Sequence, residues 1–237
     1  FRIVSNCNIL KVVIQEFKER GDTMYSTALI ILSFVEKTNV PQLNALSSAS
    51  DYIVCADGGV DVANMYGIRP DCVIGDFDST NTSNRLDCLY ITLPSDKNLT
   101  DTEAAINHAI ELGITDITIY GGIGGRLDHT LGNVGLLEKH LGKLEHLEFI
   151  DGKNSMQLLD SEVCSSAMLT PDSSYKYFSL IPLDSTAEGV TITGAKYCLD
   201  NVSISRSSTL CISNEISCSS AHISVRSGKV LLVRSGE

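Results

Sequence analysis

Several kinds of signal are missing from this chain, and each absence removes a class of function. The eight cysteines stand at 7, 55, 72, 88, 164, 198, 211 and 218, with no C-x-x-C pair among them. Ribbon-type zinc sites and thioredoxin-like redox motifs therefore lack their ligand spacing. A disulfide framework is unnecessary in a chain of this size, and reduced thiols in a cytoplasm are the simpler expectation. Basic residues are scarce: 18 Lys and Arg against 29 Asp and Glu leave a formal net charge of −11. Nucleic-acid binders need clustered cations, so no nucleic-acid partner is expected. The longest apolar run, 28–35, is broken by Ser33 and falls far short of the ~20 residues that span a bilayer. No basic stretch followed by an apolar segment and a small-residue cleavage site opens the chain, so no signal peptide is read. Repeats and low-complexity segments are absent too.

What is present is ordinary globular material. The 237 residues are 43% hydrophobic and 20% charged, enough for one large or two small domains with a substantial core. The first two dozen residues stand apart. The chain opens on Phe1, Met24 directly precedes the first clear strand, and the residues before Met24 back-translate into a bacterial ribosome-binding site. Residues 1–24 are accordingly read as a non-native or upstream leader, with a genuine amphipathic helix over 9–20 as the alternative.

From Thr27 onward strand-like and helix-like segments alternate. Apolar, β-branched runs at 27–35, 52–56, 72–75, 89–93, 116–120, 146–150 and 155–159 read as strands, mostly buried. Helices are expected over 60–66, closing at Gly67, over 100–112, closing at Gly113, and over 130–141. Thr100-Asp101-Thr102-Glu103 has the form of a capping box. This spacing implies a doubly wound, mostly parallel α/β sheet over 25–153. Beyond that the texture changes to short β-branched segments at 175–183, 190–193, 195–199, 209–213, 221–226 and 229–234, with Ser227-Gly228 as a hairpin turn. Residues 154–237 are expected to form a smaller all-β domain, a sandwich or partly open barrel.

Four acidic or glycine-rich stretches follow strands of the α/β region. They are Asp57-Gly58-Gly59, Gly75-Asp76-Phe77-Asp78-Ser79, Thr100-Asp101, and the segment 121–129 containing Gly122, Gly124, Gly125, Arg126 and Asp128. If the strands are parallel, all four gather on the carboxyl edge of the sheet, where ligands bind in such folds. Asp76 and Asp78, two apart on extended chain, would project together as a seat for a hard cation such as Mg²⁺. The glycine segment is neither a Walker A loop nor a G-x-G-x-x-G fingerprint. It still offers backbone N–H groups at a helix start, and Arg126 adds a fork for phosphate oxygens. The plainer readings are solvated turn residues, tight turning, a helix-dipole role for Asp101 and a surface ion pair between Arg126 and Asp128. His108 is expected on a helix surface, and no Ser-His-Asp or Cys-His set is visible. Carboxylates, Mg²⁺, backbone donors and an Arg, with no covalent nucleophile, suit a Mg-nucleotide enzyme of the phosphoryl-transfer type.

Taken together with the late Ile212-Ser213-Asn214-Glu215, the order and spacing of these motifs from about Ala28 onward closely resemble bacterial thiamine pyrophosphokinases. The resemblance implies an α/β ATP-binding domain, a C-terminal β domain and a homodimer with thiamine between subunits. It implies pyrophosphoryl transfer from ATP to the thiamine hydroxyl, yielding thiamine diphosphate and AMP. By analogy Asp76, Asp78 and Asp101 would hold Mg²⁺. Asp57, Gly58, Gly59, Lys97, Thr100, Gly122, Gly124, Gly125, Arg126 and Asp128 would shape the ATP site, and Ser213 and Asn214 would contact thiamine. One position departs from the pattern: Asn98 stands where family members commonly carry Asp. Competing readings are a glycosyl- or nucleotidyltransferase using Asp76 and Asp78, and a non-catalytic thiamine or nucleotide sensor.

Overall fold

The structure, a computed structural model, describes residues 3–4, 25–76, 86–94 and 98–237. The expected helix over 9–20 lies outside the described residues, as do Asp78 and Lys97. Strands among the described residues are β1 (Ile3–Val4), β2 (Thr27–Ile31), β3 (Tyr52–Ala56), β4 (Cys72–Gly75), β5 (Leu89–Thr92), β6 (Asp116–Tyr120), β7 (His146–Ile150), β8 (Asn154–Asp160), β9 (Ser166–Leu169), β10 (Tyr177–Pro182), β11 (Thr186–Thr193), β12 (Leu199–Ser205), β13 (Ala221–Ser224) and β14 (Lys229–Ser235). The helices are α1 (Val40–Ala49), α2 (Gly59–Met65), α3 (Asp101–Glu111) and α4 (Leu127–Lys139).

A ten-stranded sheet runs β1-β5-β4-β3-β2-β6-β7-β8-β14-β10. It is parallel from β1 through β7, and β8, β14 and β10 continue it antiparallel. Its central strands are buried on both faces, as the near-continuous apolar runs require. On one face α3 and α4 cover Ala28, Ile30, Val54, Ile74, Ile117 and Ile119. On the other, α1 and α2 cover Leu29, Ile31, Ile53, Cys55, Val73 and Tyr120. The expected doubly wound architecture is present. A second, four-stranded antiparallel sheet, β12-β11-β13-β9, packs on the β8, β14 and β10 end of the first. This all-β portion is an open two-sheet packing; it does not close into a barrel. No described helix is long and apolar enough to cross a membrane.

The structure differs from the sequence expectations in a few places. Helix α1 was not anticipated, although Asn39 caps it by accepting from the Gln42 N–H at 3.3 Å and a proline sits in its first turn. The segments 195–198 and 209–213 are turn and bridge structure, Leu199 opens β12, and β9 and β12 take strand positions instead. Ser227-Gly228 does not close a hairpin, because β13 and β14 belong to different sheets. The turn carries the chain from one sheet to the other, and Ser227 bridges to Glu188 on the way.

Candidate active site

Strand order reverses beside β2. β3, β4 and β5 lie to one side of it, while β6 lies to the other. A crevice opens at such a switch point, outside the carboxyl ends of the strands. Here it is a cavity of about 490 Å³ lined by Leu32, Ser33, Phe34, Ala56, Asp57, Leu99, Thr100, Asp101, Thr102, Gly122, Gly124, Arg126, His129 and Asn133. Of the residues expected from sequence, Asp57, Thr100, Asp101, Gly122, Gly124 and Arg126 meet in this one cavity. Gly58 and Gly125 lie in the same loops, Gly59 and Asp128 stand in the first turns of α2 and α4, and Asp76 follows directly on β4. Thr102 and His129 lie inside stretches that the sequence singled out, without being assigned to the site, and Leu32, Ser33, Phe34, Ala56, Leu99 and Asn133 were missed. They carry no charge-plus-glycine signature, and only the strand order could have brought 32–34 to the site.

Each wall has an identifiable local cause. Asp57 directly follows β3 with φ 50°, a conformation uncommon for a side chain larger than glycine and concentrated at functional sites. Its N–H donates to the Ile74 carbonyl at 2.7 Å, which fixes the strained residue against β4. Behind it, a Cβ on Gly59 would stand 2.0 Å from the Ile31 carbonyl oxygen. Gly59 therefore lets α2 approach the backbone of β2, a packing role distinct from ligand contact.

The opposite wall is the 121–125 loop, whose four glycines all have positive φ. Its backbone is largely committed to the protein. The Gly121 N–H donates to Ile150 at 2.7 Å, the Gly122 N–H to Phe34 at 2.8 Å, and the Gly124 N–H to the Thr130 hydroxyl at 3.1 Å. Asn133, buried on α4, donates to the Gly122 carbonyl at 2.8 Å. The loop is thus a rigid wall, and the groups on this side suited to attracting an anion are the positive end of α4 and Arg126. Arg126 forms two bonds to Asp128, Nε to Oδ1 at 3.2 Å and an Nη to Oδ2 at 2.6 Å. This pair holds the Arg126 guanidinium above and the Asp128 carboxyl below their ordinary pKa values, through the side-chain hydrogen bonds first. Both side chains are well exposed, so the pair aims the guanidinium at the mouth without adding much stability.

The third wall is the start of α3. The Thr100 hydroxyl accepts the Glu103 N–H at 3.2 Å, as the capping pattern requires. The expected reciprocal half of the box is replaced, because the Glu103 carboxylate pairs with Lys139 of α4 at 2.5 Å. That ion pair ties the first turn of α3 to the last turn of α4.

His108 corrects a sequence expectation. It is 3% exposed, with Nε2 3.3 Å from the Tyr52 hydroxyl, and burial lowers its pKa to about 4. It is a core histidine. Asn214 is also buried, and its amide clamps the chain. Nδ2 donates to the Tyr197 carbonyl at 2.8 Å, and Oδ1 accepts from the N–H groups of Tyr197 at 3.0 Å and Glu215 at 2.9 Å. Next to it Ser213 adopts φ 59°, with its N–H donating to the Ser179 hydroxyl at 3.0 Å. Neither residue lines the cavity.

The donor set suits a hard cation. Asp57 and Asp101 line one cavity and Asp76 leaves the adjacent strand, all oxygen donors of the kind Mg²⁺ takes one or two at a time alongside substrate phosphates. Among the described residues no three acidic, His or Cys side chains converge tightly enough to enclose a metal by themselves.

Comparison with known proteins identifies the family. The chain matches the family model described as thiamin pyrophosphokinase, catalytic domain, over residues 43–147. It matches the model for thiamin pyrophosphokinase, vitamin B1 binding domain, over 167–230. The thiamine pyrophosphokinase of Bacillus subtilis is 32% identical over 205 residues, spanning 84% of this chain and 94% of that protein. The crystal structure of the B. subtilis protein aligns with TM-score 0.78 at 30% identity, covering 90% of this chain and 100% of that one. The Geobacillus thermodenitrificans thiamin pyrophosphokinase gives TM-score 0.76 at 32% identity, covering 89% and 98%. The yeast thiamin pyrophosphokinase, at 16% identity and TM-score 0.72 over 99% and 90% of the two chains, shares the fold.

Proposed function

Because the chain belongs to the thiamin pyrophosphokinase family, we propose that its switch-point cavity binds Mg-ATP and transfers a pyrophosphoryl group to the hydroxyl of thiamine. The observation that carries this reading is the meeting of Asp57, Asp101, Arg126 and the 121–125 loop around one cavity. Phosphoryl-type transfer rests on positioning and charge neutralisation, and these residues supply both. The thiamine oxygen forms a bond to the β-phosphorus while the bond from that phosphorus to the oxygen bridging the α-phosphate breaks. The products are thiamine diphosphate and AMP, and the hydroxyl proton leaves to solvent.

Asp57, Asp76 and Asp101 would hold Mg²⁺, together with Asp78 as the sequence resemblance implies. When bound, the cation offsets the charge of the triphosphate and of the departing AMP. The Arg126 fork and the first turn of α4 face the phosphates, with Lys97 as a further cation from the sequence expectation. Thr100 fixes the start of α3 and so the direction of the Asp101 carboxylate. Leu32 and Leu99 keep water from the apolar part of the cavity. Ser213 and Asn214 belong to the thiamine end. Their placement away from the cavity lining supports a homodimer in which a second copy completes the site; the cytoplasmic location is the reading of the unpaired thiols. In that arrangement Asn214 acts by holding the 197 and 215 segments in place, and Ser213 offers the direct contact.

The test is product analysis with purified protein, Mg-ATP and thiamine. Thiamine diphosphate and AMP in equal amounts are expected; ADP with thiamine monophosphate would contradict the transfer. Asp101→Asn should lower turnover at least ~100-fold, the scale of losing one charged group from a pre-organised site, with an unchanged melting temperature. Full activity in that variant would remove Asp101 from the site.

A further inference from the structure

Phe34 is 41% exposed, although the strand before it is buried from Ala28 to Ile31, and it lines the cavity. The position is built. The Phe34 carbonyl accepts the Gly122 N–H at 2.8 Å, which locks residue 34 to the opposite wall. The ring rests on the glycine loop: a Cβ at Gly125 would stand 2.7 Å from two of its ring carbons, and one at Gly124 would stand 3.5 Å from a third. Only glycine at 125 leaves room for an aromatic ring lying there. Among the described lining residues Phe34 and His129 are the only ring side chains, and Leu32 and Leu99 add apolar surface. The polar groups, Asp57, Asp101 and Arg126, are drawn from other segments. An immobilised, half-exposed aromatic ring beside apolar side chains and next to a phosphate-type wall suits a flat heteroaromatic ligand that also carries phosphates.

We propose that the Phe34 ring is the stacking platform for the purine base of the nucleotide donor. The inference rests on the pyrophosphoryl-transfer reading of the cavity and deepens it by naming what determines donor recognition. Stacking on one ring tolerates any purine, so ATP and GTP should both serve as donors, and a donor lacking a base should gain nothing from Phe34.

The chain contains no tryptophan, so Phe34→Trp installs a sole indole reporter on the platform. AMP should quench its fluorescence saturably, whereas tripolyphosphate and thiamine should leave it unchanged. Phe34→Ala should raise the KM for ATP about 5- to 150-fold, the range of one base–aromatic stack, with kcat near the wild-type value. Phe34→Leu, which restores bulk without an aromatic face, should show the same loss and covers the case in which the Ala variant fails to fold. Quenching by thiamine and not by AMP overturns the proposal, as does an unchanged KM for ATP in both variants. If the wild type makes thiamine diphosphate while that KM is unchanged, only the stacking fails. If AMP quenches in a protein that makes no thiamine diphosphate, the stacking stands and the transfer reading fails.

Discussion

Lowering the pH should destabilise this protein through His108 by an amount the structure sets. The ring lies between α3 and β3, with Tyr52 as its polar neighbour and no partner at Nδ1. Burial disfavours the imidazolium and brings the folded pKa to about 4, against an ordinary value of 6.5. The unfolded chain therefore binds the proton more readily than the folded one. The contribution of this residue is fully present above pH 6.5, declines as the pH falls, and levels off below about 4. At about 1.4 kcal/mol per pH unit, the loss across that window is about 3 kcal/mol. His108→Gln keeps an amide within reach of the Tyr52 hydroxyl and cannot be protonated there. Urea unfolding followed by circular dichroism from pH 7 to pH 4 should show the wild type losing about 3 kcal/mol more than this variant, a midpoint difference of about 1 M. Parallel curves for the two proteins would mean that the imidazole is hydrated, and the burial argument would fall.

Three further outcomes follow from other positions. Gly59→Ala places a Cβ 2.0 Å from the Ile31 carbonyl, so α2 and β2 must separate; a loss of about 3 kcal/mol or more should appear in thermal melts, while Gly58→Ala, which meets only the Ser33 Cβ at 3.1 Å, should be mild. Asp151 is fully buried with Oδ2 unpartnered, and burial, followed by the nearby Glu36 charge, raises its pKa against its two backbone hydrogen bonds. Its ionised form opposes folding as the pH rises past the ordinary 3.8 and through the raised folded value, so Asp151→Asn, which keeps the Oδ1 acceptor for Lys153 and Asn154, should melt higher at pH 7 and converge with the wild type below pH 3.8; a lower melting point at pH 7 would refute this. Asn214→Ala should cost about 1–3 kcal/mol by removing three hydrogen bonds to part-buried backbone groups, whereas unchanged stability with a raised thiamine KM would make the amide a ligand contact and not a clamp.

The parallel half was legible because its strands are buried on both faces and so read as unbroken apolar runs. The expected ends of the 52–56, 72–75, 116–120 and 146–150 strands match the structure. Helix α1 escaped notice because Val-Pro-Gln-Leu-Asn-Ala-Leu-Ser-Ser-Ala buries only Leu43 fully; its start signals were present, but its apolar stripe is thin. In the β portion, β12 is mostly exposed and carries little apolar signal. The apolar 209–213 segment owes its burial to Cys211 and its shape to the turn before Asn214. The cavity was half legible. Charged and glycine residues after strands announce themselves, whereas Phe34 and Leu99 become site residues only through the order in which strands are laid side by side.

The position of β14 has a consequence for how the chain is made. Every strand of the parallel half from β2 to β7 is in hand once Ile150 has been synthesised, and that half can assemble from neighbours close in sequence. β8 and β10 then emerge with no shared neighbour, because β14 must slot between them. Until Lys229–Ser235 arrives, β8 presents Met156, Leu158 and Leu159, buried in the finished molecule, along an open sheet edge. Such an edge is a template for pairing with another chain. The nascent protein thus passes through an interval in which its first half is finished and its growing edge is unguarded, and the duration of that interval is set by the rate of translation from β8 to β14.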